Sequence, residues 1–551
     1  MRPIQLSFWS VATFAVVALG MSASQTAVAD TKFSTGSADP LIEYINEQIR
    51  LGWEDNEVTP SPHADDAEWI RRVYLDMVGH IPPANKVEEF LTSKDEGKRS
   101  KLIEELLADP DYVRNFTEVW TNTLIGRNTP DRTSRAGLQK FLRESFARNR
   151  PWNDVVYDMV TAKGHFEENG AVNFLLAQLQ GNPNTEEYHV NATARLTRIF
   201  LGMQVQCTQC HNHPFNEWKQ NQFWEFNSFL RQTRRIDHDK YDAKTGQNVD
   251  DYSELSFTDY GGFVNFELRN GLIQAVLPSY FGVELSGDSD VDRRQELGRL
   301  MCHDDAEHTV ARAYVNRTWG YFMGYGFTRP IDDMGPHNPP SHPELLDRLT
   351  DEFVKSGYDM KQLARWICNT EAYNLTSQFN KKNEIDNPAA GEVPLFSHMY
   401  VKTMQAEQLY DSLLIATQAH RSGAGSFDRA EEQRERWLQD FLRVFGGNEE
   451  DEPTLFSGSI PQALLMMNGP LVEKAISGEQ GSYLTTVLSD SHLKNDAARM
   501  RSLFVSALGR NPTPFEVSNL TKMMRNSSSP LAAYQDLYWA LLNSNEFIVN
   551  H

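Results

Sequence analysis

The residues best suited to chemistry lie in one run, Cys207-Thr208-Gln209-Cys210-His211, followed at once by Asn212-His213-Pro214-Phe215. Two thiols three positions apart beside an imidazole suit covalent attachment of haem c. The sulfurs of Cys207 and Cys210 add to the two vinyl groups, and His211 binds iron from one face. The distal ligand would then come from Met334, Met301, His308 or another His or Met. The same residues also suit a bare transition metal, zinc or iron, because Cys207, Cys210, His211 and His213 are four donors within seven residues. Adjacent residues cannot all reach one ion without a tight turn, so Cys302 or His303 is a candidate further ligand. With haem, His213 would support the site from behind the ligand. A Cys207–Cys210 disulfide and two buried thiols are the remaining readings, and the choice between haem and metal stays open at this point.

A second stretch holds Asp332, Asp333, His337 and His342 ahead of a helix. A metal-dependent hydrolase would use carboxylates and histidines of this kind to hold an ion and activate water. Architecture explains them as well. Asp332 or Asp333 would pair with Arg317 or Arg329, Ser341 and Glu344 have capping-box spacing, and His342 would pack at the helix start. Arg72 and Asp76 stand four apart on one helix, the spacing of an intrahelical ion pair. The common hydrolase and nucleotide-binding signatures are missing, and Asp259-Tyr260-Gly261-Gly262 lacks the third glycine of a dinucleotide loop.

The elements that position these residues are mostly helical by periodicity. Trp69, Ile70, Val73, Tyr74 and Met77 recur at helical spacing until Gly79. Similar stripes run through residues 102–107, 113–124, 138–146, 152–159, 309–322, 345–353 and 534–542. Thr513-Pro514-Phe515-Glu516 has the form of a second capping box. Val264, Phe266 and Leu268 alternate with Phe263, Asn265 and Glu267 as a strand would, so a small β-hairpin is expected there. Gly446 to Pro453 is expected to be a loop-like insertion.

The expected fold is mainly α, with two or three helical domains and a small β-rich excursion. The chain divides into an export signal at 1–29, an extension at 30–66 and a helical domain at 67–235 that carries the Cys/His run. An irregular or β-rich insertion follows at 236–290. The first part of a second helical domain spans 291–377, a linker 378–402 that is polar from Gln378 to Glu392, and a C-terminal helical region 403–551.

Arg2, the apolar stretch from Trp9 to Met21 and the small residues Ala27-Val28-Ala29 have the form of a cleavable signal, which implies a periplasmic or secreted protein. Export suits haem c, whose covalent attachment takes place outside the cytoplasm. No later segment has the length and hydropathy of a membrane span, so no transmembrane segment is expected after cleavage. Lys and Arg total 53 against 75 Asp and Glu, a net charge of -22 that disfavours nucleic acid as a partner. With 551 residues and 40% apolar content the chain can build substantial cores, so Cys302 and Cys368 are expected as buried thiols or one disulfide.

Arg71-Arg72-Val73-Tyr74-Leu75-Asp76-Met77-Val78-Gly79, the run from Phe200 through Trp218, Val315-Asn316-Arg317 with Asp332-Asp333-Met334-Gly335, and Met466-Met467-Asn468-Gly469-Pro470 carry a family resemblance. The chain resembles exported planctomycete-type proteins of unknown function, in which domain of unknown function 1549 is followed by domain of unknown function 1553. Many relatives carry a fused cytochrome-c-like domain, and none is expected within residues 1–551. The resemblance covers nearly all of residues 40–551 and names no activity.

The leading expectation is an exported haem- or metal-binding protein with a redox or electron-transfer role and an exported redox partner. The alternatives are a metal-dependent extracellular hydrolase acting on a polymer, and a binding module whose metal only staples helices.

Overall fold

The computed structural model describes residues 39–445, 460–527 and 529–551. The signal read at 1–29 and the insertion read at Gly446 to Pro453 lie outside the described residues. The fold is mainly helical with small antiparallel sheets. Among the described residues no helix is long and apolar enough to cross a membrane.

Local sequence explains most helix ends. The helix Pro40–Asp55 starts where Asp39 accepts from Leu41 N and Pro40 takes the first turn; it buries Ile42, Ile45, Ile49 and Trp53 along one stripe. Asp65 caps the helix Asp66–Val78, and Gly79 ends it at φ 77°. The capping box at Thr513 and Glu516 is present, with both reciprocal hydrogen bonds made. The one expected at Ser341 and Glu344 is not. That helix runs Pro343–Lys355 without a side-chain cap, and Ser341 instead bonds the ring of His342. Pro343 fixes the first turn and leaves one fewer unpaired N–H there.

Two large apolar cores form. One gathers residues between Leu41 and Tyr400, and the other gathers Leu75 and Ile81 with residues between Met404 and Phe547. The helix Asp66–Val78 contributes to both, so every residue from Trp69 to Val78 is buried. Its charged residues are therefore sealed in the seam. Arg71 donates to Ala507 O at 3.1 Å and Phe547 O at 2.7 Å. Arg72 donates to Tyr373 O at 2.6 Å and Leu375 O at 2.9 Å. Its ion pair is with Glu68 at 2.8 Å. Asp76, the partner expected from spacing, takes Lys402 Nζ at 2.6 Å, Asn550 Nδ2 at 2.7 Å and Tyr373 OH at 2.8 Å. The intrahelical pair expected between Arg72 and Asp76 is thus replaced by longer-range bonds that tie three parts of the chain together.

The β-rich excursion consists of hairpins. Thr233–Asp242 pairs with Gln247–Phe257, and the short strand Gly164–His165 adds to the latter's other edge. Val264–Glu267 pairs with Ile273–Val276 and buries Val264 and Phe266 alternately, as the sequence pattern implies. Within the stretch 378–402 most of residues 378–393 are exposed, while Asn383, Asp386, Phe396 and Ser397 are buried, with Asp386 accepting from Leu395 N and Ser397 N. Cys302 and Cys368 are buried free thiols.

Candidate functional site

The Cys/His run lies between two helices, Val190–Phe200 and Gln220–Asn227. After Phe200 the chain turns at Gly202, whose φ is 65°. A Cβ there would come within 2.5 Å of Met334 Cε, so both conformation and contact call for glycine. A short 3-10 turn, Gln206–Gln209, follows. Its inner side is fixed by buried Thr208, whose N and Oγ1 both donate to Val205 O at 2.9 and 2.6 Å. Gln209 O accepts from Gln220 Nε2 at 3.2 Å and Trp224 Nε1 at 3.0 Å. Asn212 Oδ1 accepts from Gln220 N at 3.0 Å. These bonds fasten the backbone of the run to the following helix and leave Cys207 and Cys210 exposed, both as free thiols.

The two histidines differ in orientation. His211 Nδ1 is 2.7 Å from the carbonyl oxygen of Asn212. A carbonyl only accepts, so Nδ1 carries the proton and neutral His211 keeps its lone pair on Nε2. His213 is the reverse. Its Nδ1 accepts from Phe215 N at 3.3 Å and Asn216 N at 3.1 Å, which places the proton of the neutral ring on Nε2. His213 N also donates to Trp218 O at 2.8 Å, closing the turn.

The second candidate stretch lies against this run. Asp332 Oδ2 is 2.5 Å from Arg198 Nε, and its Oδ1 accepts from Gln204 Nε2 at 2.8 Å. Met334 N donates to Gly202 O at 2.8 Å. The rings of His213 and His337 are 6.3 Å apart between centroids. His337 Nε2 is 3.0 Å from Asp333 Oδ1, while its buried Nδ1 has no partner. Gly335 lets this ring come close, since a Cβ there would be 2.8 Å from His337 Cε1. Asn316 holds the loop from beneath. It donates to Thr328 Oγ1 at 2.8 Å and Ile331 O at 2.9 Å, and accepts from Phe327 N at 2.7 Å. Arg317 is half-buried nearby; burial lowers its pKa and the charge of Asp332 opposes that. A cleft of about 260 Å³ opens beside Met334, lined also by Arg312, Thr328, Pro336, Pro339 and Leu346.

Other candidates lie apart from this arrangement. His342 is buried against Phe327 and Phe396, with Nδ1 2.9 Å from Ser341 Oγ, and burial pushes its pKa down to about 4. Cys302 and His303 lie against Asn153 and Tyr157, and burial pushes the Cys302 thiol up. Met301 is buried in the main core. His308 stands before the helix Thr309–Met323. Among the described residues no three His, Cys, Asp or Glu side chains converge on a common point. Sequence reasoning missed Arg198, Gln204, Asn212 and Gln220, which fasten the run. Neutral amides and a lone arginine carry no spacing signal for such a role.

Residues 44–235 match a family described as Protein of unknown function (DUF1549), and residues 293–524 match one described as Protein of unknown function (DUF1553). Comparison with curated proteins and with solved structures gave no match.

Proposed function

We propose that this chain, which contains the DUF1549 and DUF1553 domains, is an exported protein that binds haem c through Cys207, Cys210 and His211 and exchanges electrons outside the cytoplasm. The observation that carries the reading is the direction of one imidazole. His211 donates Nδ1–H to a backbone carbonyl and keeps its Nε2 lone pair, the arrangement of a metal-ligating histidine oriented by its outer hydrogen bond. Two exposed free thiols stand one and four positions before it. A haem held there supplies one-electron exchange. The protein's own part is to present both sulfurs on a backbone pinned by Gln220 and Trp224 and to fix the His211 tautomer.

A non-haem ion held by His213 as well has less support. Ligation through Nε2 would require the proton on Nδ1, at the loss of both backbone N–H bonds to that atom. Hydrolysis at residues 332–342 has less support too. Asp332 is already engaged by Arg198 and Gln204, and His342 is buried away as a core residue.

The test is a cofactor measurement on the full chain, produced in a host competent for cytochrome-c maturation. Reduced-minus-oxidised and pyridine-haemochrome spectra would be recorded with elemental analysis on one sample. A c-type α-band with one iron per chain, lost in Cys207→Ser, is the expected result. Stoichiometric zinc or non-haem iron without haem would replace this reading with a metal centre. Neither haem nor metal would overturn both.

A further inference from the structure

Arg71, Arg72, Arg293 and Arg294 are sealed from solvent, and each is met by main-chain oxygen. Arg293 donates to Ser228 O at 3.2 Å and Gly262 O at 2.9 Å, Arg294 to Val160 O at 3.2 Å and Ala162 O at 2.8 Å. Arg317 differs. It lies on the helix Thr309–Met323 and is half-buried, with its Nε sealed and unpartnered. Among the described residues its guanidinium makes no hydrogen bond and no ion pair. A charged group drawn partly out of water without partners costs free energy, which a bound counter-charge offsets.

The surroundings carry positive charge. The helix Thr309–Met323 packs on Val190–Phe200, which bears Arg195 and Arg198 three positions apart, one turn along the same face. Arg195 Nη2 donates to Thr123 O at 2.7 Å, and Arg198 Nε bonds Asp332 Oδ2 at 2.5 Å. Asp332 is the carboxylate whose charge favours that of Arg317, yet Arg198 and Gln204 already hold both its oxygens. The charges of Arg195 and Arg198 act on Arg317 in the opposite sense.

We propose that Arg317 anchors a binding site for a singly charged carboxylate, with Arg195 and Arg198 supplying the positive field around it. A guanidinium meets the two oxygens of a carboxylate with two parallel N–H donors. Asp332 sets the charge of the ligand: its own negative charge in the same cluster disfavours a dianionic phosphate more than a monoanionic carboxylate. The site stands with or without haem. A propionate arm of a bound haem and a dissolved carboxylate offer the same group.

The experiment uses the full chain made without haem maturation, at pH 7 and constant ionic strength, with sodium propionate as probe and sodium chloride as reference. Propionate should raise Tm by about 2 °C over chloride. Arg317→Gln should lose that rise, and Arg317→Lys, which keeps the charge without the fork, should retain less than about half of it. Arg269→Gln, at an exposed hairpin position, should keep it in full. Phosphate stabilises by exclusion from the protein surface, so its effect should be equal in wild type and Arg317→Gln. If Arg317→Gln does not fold, Arg317→Lys carries the comparison. No rise with propionate, or an equal rise in wild type and the Arg317 variants, would overturn the site and leave Arg317 merely hydrated. An Arg317-dependent rise as large with phosphate as with propionate would overturn the assignment to a carboxylate. The same titration on haem-loaded chain separates the two sources. Loss of the rise there identifies the haem's own propionate as the occupant, and its persistence identifies a dissolved carboxylate. A chain that takes up no haem yet shows the Arg317-dependent rise would keep the site and remove the haem reading instead.

Discussion

The seam helix Asp66–Val78 and the turn 207–218 both carry the residue types that draw attention in a sequence, and the fold treats them in opposite ways. Arg71, Arg72 and Asp76 are at most 2% exposed, and their side-chain atoms are engaged mainly by groups some 300 to 480 positions away. Cys207 and Cys210 are exposed; the hydrogen bonds around them fix backbone and leave the two sulfurs and His211 Nε2 uncommitted. The first set is architecture, buried with bonded partners, whereas the second has its backbone held and its side-chain donor atoms free. Arg198–Asp332 and Gly202–Met334 belong to neither class, since they hold the 332–337 loop against the run without using the Cys207, Cys210 or His211 donor atoms.

Several changes would break or sharpen this contrast. The largest effect belongs to Cys207→Ser with Cys210→Ser. It should abolish covalent haem and leave far-UV circular dichroism unchanged, because both side chains are exposed. Asp76→Ala should do the reverse. It strands buried Lys402 and removes bonds from Tyr373 and Asn550, so unfolding in urea should show a loss of about 3–5 kcal/mol while haem attachment in the folded fraction persists.

A smaller effect follows from His342. Its folded pKa of about 4 lies below the ordinary 6.5 because burial disfavours the charged ring. The unfolded chain therefore binds the proton first, and stability present above pH 6.5 is lost as pH falls toward 4. The loss is about 3 kcal/mol for this residue, and His342→Leu should flatten the stability profile across that window. The smallest effect is His213→Ala. It should leave the haem spectrum in place and cost about 1 kcal/mol per lost bond, read as faster amide exchange at Phe215 and Asn216. His211→Ala should change iron ligation in the spectrum instead.

Local signals in the sequence translated well. Gly79 ends its helix, Thr513 and Glu516 cap theirs, and the alternation around Val264 is a strand. What failed was decided by distant chain in one case and by an adjacent ring in the other. Arg72 and Asp76 have the right spacing to pair, yet residues at 402 and 550 reach Asp76 once two cores close around the helix. Ser341 and Glu344 resemble a cap, but Pro343 and His342 change what Ser341 bonds. In the candidate site the residue types and their spacing were legible, and the ring orientations were not. Spacing already set His211 apart from His213 as the expected iron ligand, and the backbone group facing each Nδ1 adds which ring has a free Nε2 lone pair and which closes a turn. The contact of Asp332 with Arg198 spans 134 positions, and no local pattern encodes it.

The most direct test of the central claim is the intact mass of the mature chain from a host that attaches haem c, measured alongside the Cys207→Ser/Cys210→Ser variant. The account predicts a covalent increment of one haem on the wild-type chain, absent from the variant, with a peptide carrying residues 207–211 holding the added mass. A folded wild-type chain with no added mass, or a haem increment that survives in the variant, would contradict it.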